Sequence, residues 1–173
     1  MRRIQKPAAR GPIRRLRALL IGIAGFCAML VPSVAWSADT CTVAAATHAF
    51  GAYDTINPMS GTSSITVTCT HTANGNHTFS YTIKLSSGPG SYASRQMTGT
   101  GDTLTYNLYT TAAHTTVWGD GTAGTATVAG SFVVGANSSG FQTQTVYGLI
   151  TAPQNVRPGA YSTASNITVT VTY

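Results

Sequence analysis

Along residues 79–86, FSYTIKLS, the apolar side chains Phe79, Tyr81, Ile83 and Leu85 alternate with polar ones. A period of two places every second side chain on one face of an extended chain, which predicts a strand with one face in a core. The same alternation puts Ile65, Val67 and Cys69 on one face of SSITVTCTH (63–71). It does so for Leu104, Tyr106 and Leu108 in TLTYNLYT (103–110), and for Ile167, Val169, Val171 and Tyr173 at the end of the chain. Residues 41–53, 125–134 and 143–151 read as further strands, the first of them irregular. Apolar spacing of three to four residues never persists, and the abundant Thr, Val and Gly are poor helix formers. Turn chemistry separates the strands at Asn57-Pro58, Asn74-Gly75, Gly88-Pro89-Gly90, Gly119-Asp120-Gly121 and Pro158-Gly159. Seven or more short strands at this spacing predict one all-β domain, a sandwich or a barrel. The Gly/Ser-rich stretch 86–102 is expected to be a mobile connection.

The beginning of the chain is of another kind. Residues 1–17 carry seven Lys and Arg and no acid, residues 18–31 are apolar, and small residues follow at Ala35 and Ser37. That order is the layout of a secretory signal peptide, here residues 1–37 with cleavage after Ser37. The apolar run is short for a bilayer span, so no membrane insertion is expected after cleavage. The remaining residues 38–173 hold three bases, Lys84, Arg95 and Arg157, against Asp39, Asp54, Asp102 and Asp120. The basic isoelectric point of the whole chain therefore belongs to the leader, and no basic surface remains to suggest nucleic acid. Export also changes the cysteine count, because Cys27 leaves with the leader. Cys41 and Cys69 remain as an even pair in an oxidising compartment, which favours a disulfide over two buried thiols.

The residues offer little to an enzyme. His48, His71, His77 and His114 are scattered, and those flanking the Asn74-Gly75 turn read as solvated turn histidines. No metal site and no cofactor are expected. There is no Gly-x-Ser-x-Gly elbow and no phosphate-cradling loop before a helix. Asp120, in WGDGT, is first of all a turn residue. Trp118 stands alone, so a stacking platform for sugars is not evident and a core or edge position is expected.

Several stretches taken together resemble a known family. CTV (41–43), FGAYD (50–54), ITVTC (65–69), LTYNLYTTAAHTTVWGDGT (104–122) and RPGAYSTASNITVTVTY (157–173) occur in that order. They resemble the spore coat protein U domain family, which includes subunits of archaic, Csu-type chaperone–usher pili; the likeness covers Cys41 to Tyr173 and implies one such domain over residues 38–173. The resemblance implies an incomplete immunoglobulin-like β-sandwich that lacks its final strand and is completed by a donor strand. The partners it implies are a periplasmic chaperone, an outer-membrane usher and other pilus or coat subunits. The acceptor groove would lie along Ile167, Val169, Val171 and Tyr173, facing a first strand at Thr42, Val43 and Phe50. Donor-strand pairing draws affinity from backbone hydrogen bonds and specificity from alternate side chains. The residues agree, since an uncapped apolar strand at the end of an exported domain is an edge that needs cover. The chain is thus expected to be a secreted, non-enzymatic assembly subunit at the cell surface, with a carbohydrate-binding or adhesion module as the alternative. With cleavage after Ser37, only Ala38, Asp39 and Thr40 precede Cys41. At about 3.3 Å per residue they span roughly 10 Å, too little for a donor extension, which suggests an end (tip) subunit.

Overall fold

The alternating runs pair as two antiparallel sheets. A computed structural model describes residues 39–173 except Ala52, Thr100, Pro158, Ala164 and Ser165. The predicted leader and its cleavage site lie outside the described residues. Eight strands follow one another: β1 (Thr40–Ala45), β2 (Met59–His71), β3 (His77–Leu85), β4 (Arg95–Gly99), β5 (Asp102–Tyr109), β6 (Val128–Val134), β7 (Ser138–Ile150) and β8 (Val169–Thr172). One sheet has the order β1-β2-β7-β5-β4 and the other β6-β3-β8. The long pair β2 and β7 forms the spine, in register from Met59 opposite Ile150 to His71 opposite Ser138.

The alternation decides what is buried. Ile65, Val67 and Cys69 of β2, Phe79 to Leu85 of β3 at every second residue, and Leu104, Tyr106 and Leu108 of β5 meet in one core between the sheets. The expected all-β class is therefore the observed one, a two-sheet β-sandwich. Trp118 is fully buried, and its indole Nε1 donates to the Ile83 carbonyl at 3.2 Å.

Three expectations need correction. The stretch 86–102 is not simply a mobile connection, because β4 lies within it and buries Arg95 and Met97. Arg95 is 0 % exposed and faces no carboxylate among its described partners. Its guanidinium instead donates to Asn107 Oδ1, to the Ser86 carbonyl at 2.9 Å and to the Trp118 carbonyl at 2.7 Å. A buried charge is tolerable only when so engaged. The first strand stops at Ala45, and after a last backbone bond from the Ala46 amide to the Ser64 carbonyl at 2.8 Å residues 47–51 leave the ladder. The terminal strand is short, so Ile167 and Tyr173 flank it rather than belong to it.

Two edges are sealed by the chain itself. On β4, the Gln96 amide donates to the Pro89 carbonyl at 2.9 Å, and Thr98 exchanges backbone bonds with Ser162 at 2.8 and 3.1 Å. On β5, Thr105 lies beyond the positions paired with β7, which are Asn107 to Tyr109. The Gln154 side chain takes the missing partner's place there. Its Oε1 accepts from the Thr105 amide and hydroxyl, and its Nε2 donates to the Thr105 carbonyl, each at 2.8 Å.

Candidate functional site: an apolar cleft beside two edge strands

Register fixes which side chains share a face. Cys41, Val43 and Ala45 of β1 stand opposite Cys69, Val67 and Ile65 of β2 and so point to the same, inner side. Val67 is 0 % exposed, yet its partner Val43 is 41 % exposed. The opposing sheet covers β2 and leaves β1 uncovered. The same holds on the other layer, where Val169 and Val171 of β8 face Leu85 and Ile83 of β3. Leu85 and Ile83 are buried, whereas Val169 and Val171 are half-buried and Tyr173 is 60 % exposed. Both β1 and β8 are edges of their sheets. An edge strand presents a row of backbone groups without ladder partners.

A cleft of about 780 Å³ opens at this place. One wall is the chain that continues from β1, residues 45–51 with Tyr53. The other is residues 159–163 together with Asn166, Ile167 and Val169. The floor is the core itself, with Ile65, Leu85, Leu108, Val146 and Ile150 reached from the opening. Two glycines seat the first wall. A Cβ on Gly61 would lie 2.8 Å from the Ala49 carbonyl oxygen and 3.2 Å from His48 Nε2, so only glycine lets residues 48–50 lie down on the sheet. Gly148 beside it meets the His48 and Phe50 rings. Phe50 then reaches Tyr106 edge-on at 5.6 Å. His48 Nδ1 hydrogen-bonds Ser63 Oγ at 3.0 Å, while Nε2 is buried and has no hydrogen-bond partner among the described residues. Burial lowers the His48 pKa below 6.5, because the charged ring would lose its water.

Of the residues expected to form a groove, Phe50, Ile167 and Val169 line this cleft. Val171 packs against the core further along β8. Tyr173 sits in a separate shallow depression with Thr172, Ser80 to Thr82 and Ala129 to Ser131. Thr42 is on the outer side of β1, and Val43, although inward, is not part of the cleft lining. Residues 46–49 lie within the irregular first strand already expected to face the groove. Residues 159–163 carry no alternation and escaped the sequence reading.

The other candidates resolve differently. Cys41 and Cys69 form a disulfide between directly opposed positions of β1 and β2. Asp120 is engaged within its turn, accepting from the Thr122 amide at 2.9 Å and the Thr122 hydroxyl at 2.6 Å. The expectation that both histidines by the Asn74-Gly75 turn are solvated is corrected for His71. His71 is only 6 % exposed, bonds Asp39 through Nδ1 at 2.8 Å and stacks on His77 at 5.2 Å. These three side chains bring one ligand atom each to within 4.8 Å of one another.

Fold and cleft together define an all-β, disulfide-bridged sandwich with an apolar trough along two sheet edges. The chain belongs to the spore coat protein U domain family, whose model matches residues 28–172. That family is associated with structural subunits of chaperone–usher pili and fimbriae and of coats, found at the surface or secreted. No curated protein matches the chain. Among the described residues, no helix is long and apolar enough to cross a membrane.

Proposed function

We propose that this protein is a secreted structural subunit of a surface fimbria or a spore-coat-like assembly, exported by a chaperone–usher route and assembled by donor-strand complementation. The observation that carries the reading is the cleft. Its floor is core, and the inner-face side chains of β1 and β8 beside it remain partly in water. An added strand running along β8 would satisfy that edge and press alternate apolar side chains onto Leu108, Val146 and Ile150. Each side chain so buried contributes about 1.5–3 kcal/mol. The first occupant is a strand of a periplasmic chaperone and the second is the extension of a neighbouring subunit. Residues 1–37 act as the export signal and 38–173 as the assembling domain. If the leader is cut after Ser37, the subunit accepts a strand without donating one and stands at a fibre end.

The test is periplasmic expression of the chain alone, with a candidate chaperone, and with a synthetic donor-strand peptide. Soluble protein and a higher unfolding midpoint are expected only in the last two arms. A stable, unaggregated monomer that gains nothing from either partner overturns the reading. Phe50, Tyr53, Tyr106 and Tyr161 give the same cleft several aromatic rings, which favours a second reading, adhesion through carbohydrate. Glycan binding that the donor peptide abolishes would select it.

A further inference from the structure

At the start of β1, where the β2–β3 hairpin turns, three side chains converge that the cleft does not use. Asp39 immediately precedes β1, His71 ends β2 and His77 begins β3. Asp39 Oδ1 is 2.8 Å from His71 Nδ1, and Asp39 Oδ2 is 3.7 Å from His77 Nε2. All three ligand atoms lie within 4.8 Å of one another. Two ligands held at about 2.0–2.1 Å from a tetrahedral zinc ion are about 3.4 Å apart. The two Asp39 separations bracket that value, and turning the half-exposed His77 ring out of its stack on His71 would aim both imidazole lone pairs at one ion.

We propose that Asp39, His71 and His77 form a binding site for a divalent late first-row transition ion, with Zn²⁺ as the fitting member. Two imidazoles and one carboxylate are the donor set such ions prefer over Mg²⁺ or Ca²⁺, which take oxygen ligands. The positions are rigid. Asp39 stands two residues before Cys41, and His71 two residues after Cys69, so the disulfide pins both ligands on opposed strands. His71 is buried and fixed by its bond to Asp39, while the His77 ring stacks on it at 20° and is the one free to turn. The far side of the His77 ring meets Phe79 edge-on at 4.6 Å. The His77 side chain is 46 % exposed, which leaves the ion an open face for water or an external ligand. The three ligands belong to β2 of one sheet, β3 of the other and the residue before β1. A bound ion therefore clamps both layers and the first strand at one end of the sandwich.

The experiment uses the untagged full-length chain, exported with its own leader, freed of metal by chelator and titrated with ZnSO₄ by calorimetry, with MgCl₂ as control. Saturation at one zinc per chain and a raised thermal midpoint are expected. Loss of mere supporting groups around metal ligands already costs 10–100-fold in affinity, so His77→Ala should weaken zinc binding about tenfold or more. His77 is exposed, and the metal-free midpoint of that variant should stay at the wild-type value. Asp39→Asn keeps a hydrogen-bond partner for His71 but removes the charge, and it should weaken zinc similarly. Loading with Co²⁺ should give the visible absorption of a tetrahedral site, lost in both variants. Absence of zinc binding, or zinc binding unchanged in both variants, overturns the proposal and leaves the cluster as a hydrogen-bonded Asp–His pair.

Discussion

Replacing Cys41 and Cys69 together by alanine removes a cross-link between residues 28 apart in sequence. Closing a loop of that length in the unfolded chain is worth roughly 3.6 kcal/mol by the chain-entropy argument. A domain of about 130 residues unfolds with an entropy near 270 cal/mol/K, so the thermal midpoint should fall by about 13 °C. The loss should not be uniform. β1 pairs with β2 alone, and its inner face at Val43 is left half in water. Without the cross-link, β1 should open before the rest of the sandwich does. Calorimetry or circular dichroism of the double variant gives the midpoint, and hydrogen exchange of residues 40–46 gives the local opening. The wall of the cleft continues directly from β1, so affinity for a donor-strand peptide should fall with it. A midpoint shift under about 4 °C, or exchange in β1 no faster than in β2, would refute the claim that the bridge holds this wall in place.

Arg95→Met removes the guanidinium donor from the Ser86 and Trp118 carbonyls and leaves Asn107 Oδ1 with the Leu108 amide alone. Urea titration should show a loss of about 3 kcal/mol or more, and a loss below 1 kcal/mol speaks against the network. Gly61→Ala sets a methyl group against the Ala49 carbonyl. It should cost about 1–3 kcal/mol and open the cleft wall, seen as faster exchange at residues 46–50. His48 has its folded pKa below the unfolded value of 6.5, so the unfolded chain binds the extra proton first. Its contribution to stability is complete above pH 6.5 and is lost as pH falls through 6.5 towards the folded value. The urea midpoint should therefore drop between pH 7.5 and pH 5, and His48→Gln should flatten that slope.

The sandwich was legible because its strands carry their burial in the alternation, as Phe79, Tyr81, Ile83 and Leu85 do. The bridge was legible from compartment and count, and the turn at Asp120 from its glycines. Arg95 was not, since a charged residue in a Gly/Ser-rich stretch gives no sign that the Ser86 and Trp118 carbonyls and the Asn107 side chain will enclose it. Part of the cleft was also hidden. Ile167 and Val169 announce themselves by periodicity and Phe50 by the family resemblance, but no pattern states that His48 and Phe50 are seated on the sheet by Gly61 and Gly148. The Asp39–His71 pair depends on register. Once Cys41 is set opposite Cys69, the residue two before one must face the residue two after the other, but nothing in the separate strands states that pairing.

The self-sealed backbone at β4 and β5 bears on growth of an assembly. If the subunit assembles by strand addition as proposed, every other open ladder is a hazard, because an incoming chain pairs with any free row of backbone groups. Thr98 is occupied by Ser162, and Thr105 is occupied by the amide of Gln154 acting as a one-residue counterfeit strand. Ser162 covers the outer rim of the large sheet at β4, and Gln154 fills the gap where β5 runs past β7. Removing the counterfeit by Gln154→Ala would expose a second point of attachment, and a linear polymer with two such points can branch or gel.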